Sequence, residues 1–257
     1  MKIDCLMGTY GRYGLACEAL ACFLQQTELS RATLLIYNQH PSPLFFDHPR
    51  VRVVNEPGRD ASLRHIRQRM HELADPSADL LHWWDDDDLY LPWHLEDCIN
   101  SIGESPAWKP ASCWFQNGGK YSRHQNRFEG SWIFRADYIK SAPIDTHPTY
   151  SDHPVVTQTE DAGLLATTEF GDNTSYIYRW GNGVEHLSIY SDTSSEEAQT
   201  ANINQYRKGC NDIDPTGRLV PADLSGEWQH FLDGIKPLVA PDDWERNATR
   251  LRPHLSP

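Results

Sequence analysis

Over the first ninety residues the chain alternates between short apolar runs and longer amphipathic segments. Residues 3–7 read as a strand, mainly apolar apart from Asp4, followed by the polar turn Thr9-Tyr10-Gly11-Arg12-Tyr13-Gly14. Leu15, Ala19, Cys22 and Phe23 then recur at i, i+4, i+7 and i+8, the spacing of one helix face. Residues 32–37 are almost continuously apolar, as a parallel strand covered on both faces must be. A further strand is predicted over 51–54. The segment 60–74 gathers Leu63, Ile66, Met70 and Leu73 on one helical face and leaves Arg64 and Arg67 elsewhere. Residues 79–84 supply another strand. Strands alternating with helices of this length predict an α/β domain with a doubly wound, mainly parallel sheet and helices on both faces. Ligands of such sheets collect beyond the carboxyl ends of the strands.

The pattern changes after residue 100. Short strands are predicted over 112–115, 131–134 and 174–180, and helices over 89–102 and 161–166. Beyond about Asp192 the chain becomes polar and Pro-punctuated, with helices predicted over 194–206, 225–235 and 242–251. This divides the chain into a main domain over 1–190, with halves near 1–100 and 101–190, and a helical C-terminal extension over 191–257.

Composition narrows the class. At 257 residues with 39% hydrophobic and 23% charged positions, the chain can bury a substantial core. A net charge of −13 argues against broad adhesion to nucleic-acid phosphates or anionic lipid. Direct DNA binding is therefore disfavoured, although a modified nucleobase stays open as an acceptor. No apolar run reaches membrane-spanning length, and the start is too short and polar for a signal peptide. The six cysteines show neither CxxC nor clustered spacing, so their pattern indicates neither a zinc site nor a disulfide framework. Reduced thiols in the cytoplasm are the expectation.

The chemistry concentrates where the strand at 79–84 ends. Four consecutive aspartates, Asp85 to Asp88, follow it directly and precede Leu89-Tyr90-Leu91-Pro92. Adjacent carboxylates repel one another, and a divalent cation is the usual relief. The calcium-loop pattern does not fit, because the position that needs glycine is Tyr90 and the fifth is Leu89. What remains is a strand followed by D-x-D-D-x-x-x-P.

With these residues in place the chain resembles a family 2-type, nucleotide-sugar-dependent glycosyltransferase of the GT-A fold over about residues 1–190. Gly8-Thr9-Tyr10-Gly11-Arg12 is similar to the family's base-holding turn after strand one, and Asp85 to Pro92 to its DxD motif. Gly130-Ser131-Trp132-Ile133-Phe134-Arg135 resembles the acceptor-side strand, and Thr159-Glu160-Asp161 the motif that carries the catalytic base. The resemblance implies a soluble enzyme moving one sugar at a time, with inversion, from a nucleoside-diphosphate donor to the hydroxyl of a glycan or other acceptor. A UDP-sugar is the expected donor and Mn²⁺ or Mg²⁺ the expected cofactor. Thr9, Tyr10, Arg12, Asn38, Arg64, Arg67, Asp85 and Asp86 are the implied donor contacts. Asp87 and Asp85, with His186, are the implied metal ligands. Asp161 is the implied base and Glu160 its companion, while Trp93, Trp132 or Trp180 could stack on a sugar.

Two departures matter. The family's acidic end to strand two is replaced by Asn38-Gln39-His40, leaving Asn38 for the base edge. Of the processive Q-x-x-R-W signature only Arg179-Trp180 is kept. A nucleotidyltransferase would share the sheet and the metal, but such enzymes carry a Gly-rich basic loop after strand one, and residues 8–14 contain only Arg12. A non-catalytic metal- or glycan-binding module is the remaining alternative.

Overall fold

The computed structural model describes residues 1–10, 13–46, 48–58, 63–117, 120–142 and 153–180. The helices expected in the C-terminal extension lie outside the described residues. The elements run β1 (Ile3–Thr9), α1 (Tyr13–Leu24), β2 (Ala32–Asn38), β3 (Val51–Asn55), α2 (Leu63–Leu73), β4 (Leu80–Trp83), β5 (Leu89–Tyr90) and α3 (His94–Ser101). They continue with β6 (Ala107–Pro110), β7 (Ser112–Asn117), β8 (Lys120–Gln125), β9 (Ile133–Arg135), α4 (Ala136–Ser141), α5 (His153–Asp161), β10 (Leu165–Thr168) and β11 (Tyr176–Trp180). Among the described residues no helix is long and apolar enough to cross a membrane.

A seven-stranded sheet has the order β10-β6-β9-β4-β1-β2-β3. β4, β1, β2 and β3 are parallel, β9 runs antiparallel between β4 and β6, and β10 is parallel to β6. The strands alternate their side chains between two cores. Ile3, Cys5, Met7, Leu34, Ile36 and Leu80 pack with α1 and α3 on one face. Leu6, Leu35, Tyr37, Leu81, Trp83 and Phe134 pack with Met70 of α2 and Ile139 of α4 on the other. This period-2 division makes the central strands largely apolar, with Asp4 and His82 among the buried exceptions. Gly8 marks where α2 comes closest, since a Cβ there would sit 2.9 Å from Ile66 Cγ2. A smaller sheet, β5-β11-β7-β8, stands beside the first.

Two expected helices differ. The segment 89–102 opens as a strand, with Leu89 and Tyr90 pairing antiparallel to Ile177 and Tyr176, and turns helical only at His94. Pro92 has no N–H to give and biases Leu91 toward extended backbone, so the helix forms beyond it. The segment 161–166 is no helix start: α5 ends at Asp161 and β10 follows. Gly163 takes φ +67°, its N–H reaches Glu160 C=O at 2.9 Å, and Leu164 N–H reaches Thr159 C=O at 3.0 Å. That pair of bonds is a Schellman stop, which a glycine closes because it alone enters the left-handed region cheaply. β6, β8 and β10 lacked a clear alternating pattern and were not expected from the sequence.

Candidate functional site

The aspartate turn is built where β4 leaves the large sheet and the chain enters the small one. Trp84 closes the strand end, stacking on Tyr90 at 3.8 Å and donating from Nε1 to Ala19 C=O at 3.1 Å. The Tyr90 hydroxyl then ties three segments together. It accepts from Asp85 N–H at 2.8 Å and donates to Gly130 C=O at 2.9 Å. Burial, with the Asp85 and Asp88 charges nearby, pushes the Tyr90 phenol well above its ordinary range and keeps it a donor.

The four carboxylates have different surroundings. Asp88 is buried and is held by β11, accepting from the Tyr176 hydroxyl and from Arg179 N–H at 3.1 Å. Arg179 also donates from Nε to Asp87 C=O at 2.6 Å and pairs with Glu18 of α1. Asp86 and Asp87 are buried within the turn. Asp85 keeps a side chain 30% exposed and meets Arg67 at 2.7 Å. Its other oxygen lies so near Gly130 that a Cβ there would come within 2.5 Å, so glycine permits the approach.

Arg67 is held in turn by its neighbours on α2 and β4. Its guanidinium sits 4.7 Å from the centre of the Trp83 ring, and the Trp83 indole donates to His71 Nε2 at 3.0 Å. His71 lies one helical turn beyond Arg67. Burial, and after it the Arg67 charge, lowers its pKa to about 4, so it stays a neutral acceptor.

The ends of β1 and β2 adjoin the turn. Thr9 is buried, and its Oγ1 has no hydrogen-bond partner among the described residues. Tyr10 is half-buried and meets the His40 ring edge-on at 5.4 Å. Asn38 is fully buried and occupied by its own loop. Its amide donates to Ser42 C=O at 3.0 Å and to Asn55 Oδ1 at 2.8 Å, and its Oδ1 accepts from His40 N–H at 3.1 Å. Arg12, His186 and the side chains of Arg64 and Trp180 lie outside the described residues.

Glu160 and Asp161 stand at the far side of β9. Both are exposed at the carboxyl end of α5, not at a helix start as the sequence led us to expect. Helix dipoles disfavour carboxylates at that end by roughly 0.3–1 kcal/mol each. Thr159 is anchored by its hydroxyl to Val155 C=O at 2.6 Å and to the Tyr138 hydroxyl at 2.8 Å. Glu160 pairs with Lys109 at 3.0 Å, and the Lys109 ammonium lies 4.8 Å from the centre of the Trp132 ring. Trp132 follows Gly130 by two residues, so a continuous line of contacts runs from Glu160 through Lys109 and Trp132 to the backbone beneath Asp85. Trp132 and Trp93 are themselves buried, which closes their faces to stacking in this conformation.

Several of these neighbours escaped sequence reasoning. Arg179 and Gly130 stood within quoted motifs without an assigned part. His40, Glu18, Tyr176 and Lys109 carried no local signal, because tertiary packing alone brings them to the site.

No family model and no curated protein matches the sequence. Solved structures do. The S. aureus TarS 1–349 structure in complex with UDP-GlcNAc is 14% identical over 96% of this chain and 79% of its own, with a TM-score of 0.60. The longer TarS chain is spanned only to 52%. The mannosyltransferase PcManGT from Pyrobaculum calidifontis, in complex with GDP-Man and Mn²⁺, is 13% identical over 98% of this chain and 74% of its own, at 0.52. The glucosyl-3-phosphoglycerate synthase from Mycobacterium tuberculosis, with Mn²⁺, UDP and phosphoglyceric acid, is 11% identical over 83% and 80%, at 0.51. At such identities the likeness speaks to architecture, and in architecture this chain has the GT-A fold of nucleotide-sugar glycosyltransferases.

Proposed function

We propose that this chain is a metal-dependent, inverting glycosyltransferase that moves one sugar from a nucleoside diphosphate to an acceptor hydroxyl. The observation that carries this reading is the unequal aspartate turn at the carboxyl end of β4, with Asp88 fixed by β11 and Asp85 set beside Arg67 over Gly130. The donor chemistry fits Mg²⁺ or Mn²⁺: Asp85 and Asp87 would offer hard oxygen ligands, and the missing Cβ of Gly130 leaves Asp85 room. Bound there, such a cation stabilises negative charge on the departing diphosphate.

The chain's own residues supply the rest. Arg67, braced on Trp83, offers its charge to the same diphosphate. Tyr10 and His40 flank the place for the base, and Asn38 shapes their loop. Thr9 Oγ1, which has no hydrogen-bond partner among the described residues, contacts the donor. Asp161 takes the proton of the attacking acceptor hydroxyl, and Lys109 holds Glu160 beside it. Arg12, Arg64 and His186 complete the proposed donor and metal contacts. TarS with UDP-GlcNAc and the synthase with UDP favour a UDP-sugar here, while PcManGT with GDP-Man makes guanosine the competitor.

A thermal-shift panel of UDP, GDP, CDP and dTDP with and without Mn²⁺ tests the reading. The matching nucleotide at a hundred times its Kd stabilises by about 2.7 kcal/mol, and only with metal. If none shifts the melt, the proposal fails. Asp161→Asn should lower transfer about a thousandfold, near 4 kcal/mol, at unchanged nucleotide affinity. Lost nucleotide binding in that variant would remove Asp161 from the role of base.

A further inference from the structure

A second set of metal-type donors lies inside the core, beginning three residues upstream of the aspartates. His82 of β4 and His94 and Cys98 of α3 are all fully buried, and their ligand atoms lie within 4.8 Å of one another. His82 Nε2 is 2.8 Å from His94 Nε2, which is 3.8 Å from Cys98 Sγ. His94 and Cys98 are one helical turn apart and share a face of α3. Cys5 is the direct register partner of His82 in the parallel β1–β4 pair, so both side chains point to the same core. The Cys5 thiol stands outside the 4.8 Å group that the other three form.

We propose that His82, His94 and Cys98, with Cys5 in the fourth position, form a buried site for a zinc-class divalent cation. The donor types carry the choice: imidazole and thiolate select zinc, whereas the aspartate turn offers only oxygen. His94 Nδ1 lies 3.0 Å from the Ser175 hydroxyl, an outer partner that directs the Nε2 lone pair into the cluster. Tetrahedral zinc with bonds of about 2.05 Å to nitrogen and about 2.3 Å to sulfur sets N···N near 3.3 Å and N···S near 3.6 Å. The N···S distance already fits, and the imidazoles need to part by about 0.5 Å. A cation here ties β1, β4 and α3 together directly beneath the aspartate turn, and Ser175 extends the tie to the segment entering β11. The inference is independent of the proposed sugar transfer.

The full-length protein, dialysed against a weak chelator, should hold about one zinc per chain by elemental analysis. Refolded in Co²⁺ alone, it should show a thiolate-to-cobalt charge-transfer band, which oxygen ligands of the aspartate turn cannot produce. Cys98→Ser should abolish at least half of that band, Cys5→Ser about half, and Asp87→Asn none of it. A wild type that carries no zinc and gives no band overturns the proposal and leaves His82 and His94 as a hydrogen-bonded pair. A band that keeps full intensity in both serine variants overturns it equally. Should Cys98→Ser not fold, Cys5→Ser and the wild-type spectrum still decide.

Discussion

The two ends of the aspartate run have opposite surroundings. Asp88 is buried and gives both oxygens to β11, one to the Tyr176 hydroxyl and one to Arg179 N–H. Asp85, three residues earlier, is partly exposed and meets a helix arginine over a glycine. A carboxylate satisfied by donors from a neighbouring sheet fixes the backbone in place. One paired with a charge at a strand end is where an incoming ligand can exchange partners. The difference teaches that the small sheet serves the large one: it clamps the far end of the turn, so the near end keeps its position at the carboxyl edge of β4.

That contrast breaks most sharply at Asp87 and Asp85. Asp87→Asn or Asp85→Asn should reduce sugar transfer about a thousandfold, near 4 kcal/mol, with the melting temperature almost unchanged. Equal loss of stability would merge the two ends into one structural unit. Asp88→Ala should do the reverse and lower the unfolding free energy by about 3 kcal/mol, read by urea denaturation, because it strands Tyr176 and Arg179 groups in the core. Asp88→Asn keeps an acceptor and should cost about 1 kcal/mol.

Acid offers a graded test of the support under Arg67. His71 has a folded pKa of about 4 against an ordinary value of 6.5. A depressed folded pKa means its contribution is whole above pH 6.5 and is lost as pH falls from there toward 4. The expected slope is about 1.4 kcal/mol per pH unit from this residue alone. His71→Gln, which keeps an acceptor for the Trp83 indole, should flatten that limb by the same amount. A smaller effect than those at Asp85 and Asp87 belongs to Gly130→Ala. A Cβ 2.5 Å from Asp85 Oδ2 must push the carboxylate aside, weakening metal-dependent nucleotide binding about tenfold, near 1.4 kcal/mol, with little change in stability.

Much of the frame was legible in the sequence. The apolar runs at β1, β2, β3 and β4 and the faces of α1 and α2 announce a parallel α/β sheet, because burial on both sides leaves strands almost nothing polar. The stop at Gly163 was equally readable, since a glycine two residues past Glu160-Asp161 signals a helix end; reading a helix start there missed it. β5 and β8 were hidden for another reason. Two residues pairing with β11, or a polar edge strand, have no periodicity of their own and form only when a partner strand is already in place.

The sequence by itself determined the alternation of strand and helix, the acidic burst at a strand end and the acidic pair some seventy residues on, because hydrophobic period and local charge are properties of neighbours along the chain. Only the tertiary structure decided how the labour is divided. It handed Asp88 to β11, set Asp85 against Arg67 and Gly130, joined Glu160 to Lys109, and turned cysteines without any spacing pattern into neighbours of two buried histidines. Those pairings reach as far as 91 positions along the chain, and contact at that range is set by how sheets and helices pack.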